Sequence, residues 1–279
     1  MPEMVTVSCR QVPSVVGDAP GNRRRITAEA RAAAAAGADI VLFPELAASG
    51  YDFASAEQAR AEAVPLDGPL LDEWRALAGE LGIVLVAGYP ELGDNGHVYN
   101  SAVLIDPDGV RANYRKAHLW DREADHFTPG AAPPPVVDTI LGRLGLLICY
   151  DLEFPEWVRL AALDGAELLC APVSWPAFPR PAGERPNEVV KVQAGAGVNR
   201  MPIAVCDRVD ADHGAAWLGG SVIVDPDGYP LTSLALGEEA AITATIDLAA
   251  SRDKSIGERN DVFADRRPQL YGAITKERV

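Results

Sequence analysis

Two short strings in this chain occur twice. Gly37–Pro44 reads G-A-D-I-V-L-F-P and Gly165–Pro172 reads G-A-E-L-L-C-A-P, while Val103–Gly109 reads V-L-I-D-P-D-G and Val222–Gly228 reads V-I-V-D-P-D-G. The repeats come in the same order and at similar offsets. Each first string has a helix-stopping glycine and then an apolar run of strand length. Each second string is a strand leading into a tight turn. A chain with this internal period is expected to build two similar α/β halves. Their sheets would pack on each other with helices outside, in a single domain.

The other elements fit that frame. Met4 to Val12 alternates as a half-buried strand, and Asn22 is placed to cap a helix running to about Ala36 with Gly37 as its stop. Ile40–Phe43 reads as a buried strand closed by Pro44, and Leu70–Leu81 as a helix. Ile83–Ala87 and Val98–Ile105 read as strands, and the turn at 106–109 leads into another that ends near Lys116. Asp121 to Pro135 is polar, Pro-rich and too long for a routine connection, which marks a candidate functional loop. Strands follow near Val136–Ile140 and Leu144–Cys149, then a helix over Pro155–Leu163 and a strand over Leu168–Ala171. A second Pro-rich loop spans Trp175 to Pro186, ahead of a helix from Asn187 to Val198. The last expected strands are Ile203–Val209, Ser221–Val224, Pro230–Leu234 and Ile242–Ile246. A charged tail from about Ser251 is expected to wrap a surface or a partner subunit.

Charge and cysteine usage narrow the function. Lys plus Arg number 25 and Asp plus Glu number 40, a net charge of −15 that disfavours nucleic acid and anionic membranes as partners. The four cysteines, Cys9, Cys149, Cys170 and Cys206, contain no C-x-x-C pair, so neither zinc spacing nor a disulfide framework is present. The start lacks a signal-peptide pattern and no apolar run has membrane-spanning length, so a reducing cytoplasm is the expectation.

The stretch with most chemical content is Arg143–Glu156, R-L-G-L-L-I-C-Y-D-L-E-F-P-E. A buried-strand pattern ends on Cys149, and Pro155 with Glu156 opens a helix. Such a thiol is either a small core hydrophobe or a nucleophile placed between strand and helix. Glu45 and Lys116 also stand at or just beyond strand ends. A thiol with pKa near ~8.5 needs a base, which a buried carboxylate can supply, and a fixed ammonium lowers the cost of a thiolate and an oxyanion.

Three ordered blocks, F-P-E at Phe43–Glu45, Y-R-K-A-H-L at Tyr114–Leu119 and L-I-C-Y-D-L-E-F-P-E at Leu147–Glu156, resemble the signature blocks of the nitrilase superfamily of carbon–nitrogen hydrolases. Further matches are F-T-P-G at Phe127–Gly130, D-P-D-G at Asp225–Gly228 and R-N-D at Arg259–Asp261. The resemblance runs from end to end. It implies a four-layer αββα sandwich of two similar halves, usually paired as a homodimer with helical layers at the interface. It further implies Glu45 as general base, Lys116 as oxyanion stabiliser and Cys149 as nucleophile. The Tyr150 backbone N–H would be a second oxyanion donor, and Glu123 would position substrate and water. No metal or organic cofactor is needed. The implied reaction takes a small carboxamide to acid and ammonia through a thioester. N-carbamoyl amines or amino acids and nitriles are rival substrates that the same centre would serve. A non-catalytic scaffold is the rival from another class, and it would have no need of the intact set.

With Glu45 and Lys116 in those roles, His97, His118, His126 and His213 read as surface residues or neighbours of the site, not as partners of a Cys–His pair. Cys9, Cys170 and Cys206 read as core, Arg23–Arg25 as a solvated helix face, and Asp151 and Glu153 as groups that cap or orient the helix that follows Cys149. Tyr51 and Trp175 line the pocket or belong to the core. Arg180 and Arg185 bind a substrate carboxylate or are simply exposed. One block departs from the family pattern. Ala194–Asn199 reads A-G-A-G-V-N where many members have A-R-A-x-E-N, and two glycines inside a helix cost roughly 1 kcal/mol each. Altered helix or interface packing is the expectation there.

Overall fold

The computed structural model describes residues 4–209 and 216–276. In the first half, β1 (Met4–Gln11), α1 (Ala19–Ala35), β2 (Ile40–Leu42), α2 (Ala56–Glu62) and α3 (Pro69–Leu81) lead to the antiparallel run β3 (Val84–Leu92), β4 (Val98–Asp106) and β5 (Gly109–Arg115). The second half has a one-turn helix α4 (Glu123–His126), β6 (Val136–Asp138), β7 (Arg143–Leu146), α5 (Pro155–Leu163), β8 (Leu168–Pro172), α6 (Asn187–Asn199), β9 (Ile203–Cys206), β10 (Val222–Val224) and β11 (Ala240–Asp247).

The strands form two sheets, ordered β11-β1-β2-β3-β4-β5 and β10-β9-β8-β7-β6. In each, three central strands run parallel and the flanking strands antiparallel. The period of two along β2 decides the layers. Ile40 and Leu42 join Val84, Val86, Leu146, Leu168 and Cys170 between the sheets, whereas Val41 and Phe43 pack under Ile26, Leu70 and Trp74 of α1 and α3. On the far side, Val158, Val189 and Val192 of α5 and α6 cover the second sheet. The result is the expected αββα order of layers. Among the described residues, no helix is long and apolar enough to cross a membrane.

Several expectations are corrected. The cap of α1 is Asp18, which accepts from the Gly21 N–H at 3.0 Å. Asn22 lies inside the helix, where its amide ties the Val15 N–H and carbonyl at 2.9 and 2.8 Å. Helix α2, capped by Ser55, was not anticipated. Pro230–Leu234 makes only a single bridge to Val224, because Pro230 has no N–H to extend a ladder beyond the Leu231 N–H bond to Ile223. The next strand, β11, leaves this sheet and pairs with β1 in the other, so the second half does not copy the first at its end. Helix α6 runs unbroken through Gly195 and Gly197. A Cβ at Gly197 would come within 3.1 Å of the Asp227 carbonyl oxygen, and one at Gly228 would overlap the Gln193 carbonyl. The glycines let the 225–228 turn lie directly on the helix.

A comparable close approach sets the site. A Cβ on Gly88 of β3 would overlap the Leu46 amide nitrogen and fall 2.8 Å from Glu45 Cα. Gly88→Ala is therefore expected to lower stability by about 2 kcal/mol or more in a urea titration, because backbone must move. Gly96→Ala, at φ 77° with open space around it, should cost only about 1 kcal/mol.

Candidate active site

Three chain segments deliver the charged groups. Glu45 follows β2, where the Phe43 N–H still bonds the Val86 carbonyl at 2.8 Å and Leu46 then turns back with φ 50°. Lys116 follows β5, its N–H held by the Asn100 carbonyl and its carbonyl by the Gly130 N–H, both at 2.8 Å. Gly130 ends the F-T-P-G string, and a Cβ there would overlap the Arg115 carbonyl oxygen. Glu123 opens α4 within the Asp121–Pro135 loop.

The turn carrying Cys149 is tighter than a simple strand end. β7 stops at Leu146, and Cys149 begins a 3₁₀ turn over Cys149–Glu153 with φ 46°, a conformation costly for a residue with a Cβ. Asp151, fully buried, holds this turn. It accepts from the Ile148 N–H at 3.1 Å, the Tyr114 hydroxyl at 2.8 Å and the His118 N–H at 3.1 Å, with His118 Nδ1 at 2.7 Å. One carboxylate thus fastens the Cys149 turn to the segment that bears Lys116. The His118 ring stacks on Phe154 with centroids 3.7 Å apart.

At the centre, Lys116 Nζ donates to Glu45 Oε1 at 2.7 Å and to both Glu123 oxygens at 2.7 and 2.8 Å. Asn100 Nδ2 adds a bond to Glu45 Oε1 at 2.7 Å, the Tyr51 hydroxyl one to Glu123 Oε1 at 2.6 Å, and the Trp120 N–H one to Glu123 Oε2 at 2.9 Å. Glu45 Oε2 is buried and has no hydrogen-bond partner among the described residues. Cys149 Sγ lies 3.8 Å from the Ser174 carbonyl oxygen. Burial raises the Glu45 carboxyl to about 7, against the opposing pull of Lys116, and the Glu123 charge adds to the rise. Burial and the Glu45 charge push the Cys149 thiol well above its ordinary value, and Lys116 only partly opposes them. Burial works against the Lys116 charge, but the two carboxylates outweigh it and hold the ammonium protonated.

A cavity of about 100 Å³ opens over Cys149, walled by Trp120, Tyr150, Ser174, Trp175 and Phe178, with Glu153, Glu188 and Lys191 at its rim. Trp175 and Tyr150 both line this cavity. Tyr51 does not share this cavity; it lines a neighbouring one of about 170 Å³ with Glu123, beyond Trp120 and Pro176. Arg180 and Arg185 also stay outside, Arg185 bonding Gln193 at 2.7 Å. His97 sits beside Thr128, His126 lines the Tyr51 cavity, and His213 lies outside the described residues. Cys9, Cys170 and Cys206 are buried and free.

Sequence reasoning missed Asn100, Ser174 and Asp207. Asp207, buried just after β9, accepts from the backbone N–H groups of Trp175, Arg208 and Gly220 at 3.0, 2.9 and 2.8 Å and fixes the cavity wall. Burial raises its carboxyl to about 7 despite those bonds. The available signal was a polar residue inside or ending an apolar strand, at Asn100 and Asp207. Ser174 carried none.

The chain belongs to the carbon–nitrogen hydrolase family, whose model matches residues 6–254. It is 35% identical over 239 residues to a nitrilase of Pyrococcus abyssi, covering 84% of this chain and 87% of that one. It is 34% identical over 262 residues to the N-carbamoylputrescine amidase of Solanum lycopersicum, covering 88% and 86%. An amidase from Nesterenkonia sp. superposes with a TM-score of 0.78 at 29% identity over 97% of each chain. One variant of that amidase carries acrylamide added to its active-site cysteine, and another binds butyramide.

Asp151→Ala is expected to leave the donors of Tyr114, His118 and Ile148 buried without an acceptor. A loss of about 3 kcal/mol in chemical denaturation should follow.

Proposed function

We propose that this chain is an amidase that hydrolyses a small carboxamide to acid and ammonia, with Cys149 as nucleophile. The observation that carries the reading is the buried Lys116 ammonium held between Glu45 and Glu123 beside the strained Cys149 turn. A scaffold protein gains nothing from burying a lysine and two carboxylates around a thiol. The Nesterenkonia amidase, whose active-site cysteine adds acrylamide and one variant of which binds butyramide, supports a nucleophilic cysteine and a small amide as substrate.

The proton stays on Cys149 in the resting site, because burial and the Glu45 charge disfavour a thiolate. Attack is therefore coupled to proton transfer. Sγ bonds to the amide carbon as Glu45 takes the thiol proton, and the carbonyl π electrons move onto oxygen. Lys116 Nζ and the Tyr150 N–H receive that oxyanion. The tetrahedral intermediate collapses, the C–N bond breaks, and Glu45 returns its proton to the departing ammonia, leaving a thioester on Cys149. Glu45 then takes a proton from water, whose oxygen attacks the thioester and releases the acid, and the proton returns to sulfur. Glu123 holds Lys116 and faces substrate and water.

We read the chain as one carbon–nitrogen hydrolase domain that forms a homodimer. Leu160 and Leu163 on α5, Val190 and Val198 on α6, and Ile256, Leu270 and Ile274 in the tail are exposed apolar residues, which suits an interface with a second copy. Its four cysteines are free and buried, which suits a reducing cytoplasm.

Cys149→Ala should lower ammonia release from acetamide or butyramide at least about a thousandfold, with folding intact by circular dichroism; equal release by both proteins would remove Cys149 from the reaction. The raised carboxyl keeps Glu45 protonated below about 7, so kcat/KM should rise with pH through that value and level off above it. A profile already flat from pH 5 would contradict Glu45 as base. Sedimentation should give twice the 29.6 kDa chain mass, falling toward that mass in Leu160→Asp with Val198→Asp.

A further inference from the structure

The charges at the mouth of the Cys149 cavity do not cancel. Glu153, Glu188 and Lys191 stand at the rim. Lys191 Nζ bonds both Glu153 oxygens at 2.7 Å, so those two charges neutralise each other. Glu188 lies in the first turn of α6, three residues before Lys191, and is half-buried. Its carboxylate has no hydrogen-bond or ion-pair partner among the described residues. Arg180 shares an adjoining cavity with Glu188 but is exposed and makes no ion pair with it.

The walls of the same cavity are aromatic. Trp120 meets Tyr150 edge to face with centroids 5.0 Å apart and Phe178 at 6.4 Å. Such rings attract a cation over their faces. The net charge of −15 biases approach in the same direction, drawing cations and repelling anions. A carboxylate-bearing substrate would meet Glu188 and a lysine already occupied by Glu153.

We propose that the site selects amides and carbamoyl compounds whose far end carries a positive charge, an amine or guanidinium on a short aliphatic chain, and that Glu188 with the Trp120–Tyr150–Phe178 rim makes the selection. This rests on the amidase reading and narrows its substrate class. Within that class it favours carbamoyl amines over carbamoyl amino acids.

The test uses three amides of matched length ending in an amine, a methyl group or a carboxylate. Ammonia release is measured for wild type, Glu188→Gln and Glu188→Lys, and binding to Cys149→Ala is measured by calorimetry with and without Glu188→Gln. Wild type should prefer the amine over the methyl compound by about tenfold in kcat/KM at low salt, with the carboxylate last. The amine-to-methyl ratio should shrink several-fold in Glu188→Gln and fall further in Glu188→Lys, and the Cys149→Ala affinities should follow the same order. Equal or better use of the methyl compound by wild type would overturn the proposal, as would a ratio unchanged in Glu188→Gln. If wild type releases ammonia from none of the three, the amidase reading fails, and the calorimetric order still decides the selectivity.

Discussion

The structure depends on one buried cation. Lys116 has no exposed surface, and an ammonium in that position is tolerable only because two carboxylates surround it. The arrangement is deliberately unbalanced. Two acids face one base, Glu45 Oε2 has no donor among the described residues, and burial with the Glu123 charge holds the Glu45 proton up to about neutral pH. Burial and the Glu45 charge also keep the thiol protonated. A site wired in this way does not store a reactive thiolate. In the proposed mechanism it forms one only as a substrate carbonyl arrives to accept the charge, which protects the cysteine between turnovers.

The site exists only where the two halves meet. The first half supplies Glu45, Asn100 and Lys116, and the second supplies Cys149, Ser174, Trp175 and Asp207. Repeated positions touch across the seam. Glu45 and Val173 follow the two copies of the same string, and the Glu45 N–H bonds the Val173 carbonyl at 3.4 Å while the Ser174 hydroxyl reaches the Glu45 carbonyl at 3.4 Å. The Ser174 carbonyl in turn faces Cys149 Sγ. Asp151 adds the other tie, between the Cys149 turn and the Lys116 segment. A shift of one sheet over the other would therefore separate Glu45 from Cys149.

Much of this was legible in the sequence because it rests on short-range pattern. The repeated strings announced two related halves. The periods of two and the apolar runs located most strands, and the Pro155–Leu163 helix has the bounds its Pro and Glu indicated. What escaped depends on contacts between distant residues. Nothing local separates Asp18 from Asn22 as the α1 cap; the choice follows from Asn22 being drawn inward to Val15. Nothing local says that β11 crosses to the other sheet. Tyr51 reads as a pocket residue, and it bonds Glu123 in a cavity that Trp120 and Pro176 separate from the one over Cys149. Gly197 reads as a weakness in α6, and the turn packed on it supplies the reason for a missing side chain.

The central claim is that Cys149 forms a thioester which Glu45 helps to hydrolyse. The direct measurement is intact-mass analysis of the wild-type protein, acid-quenched during turnover of a small amide such as butyramide, followed by peptide mapping for the acyl group. The account predicts one covalent addition per chain, on the peptide carrying Cys149, and none in Cys149→Ala. An adduct on Cys170 or Cys206, or the same addition in Cys149→Ala, would contradict it.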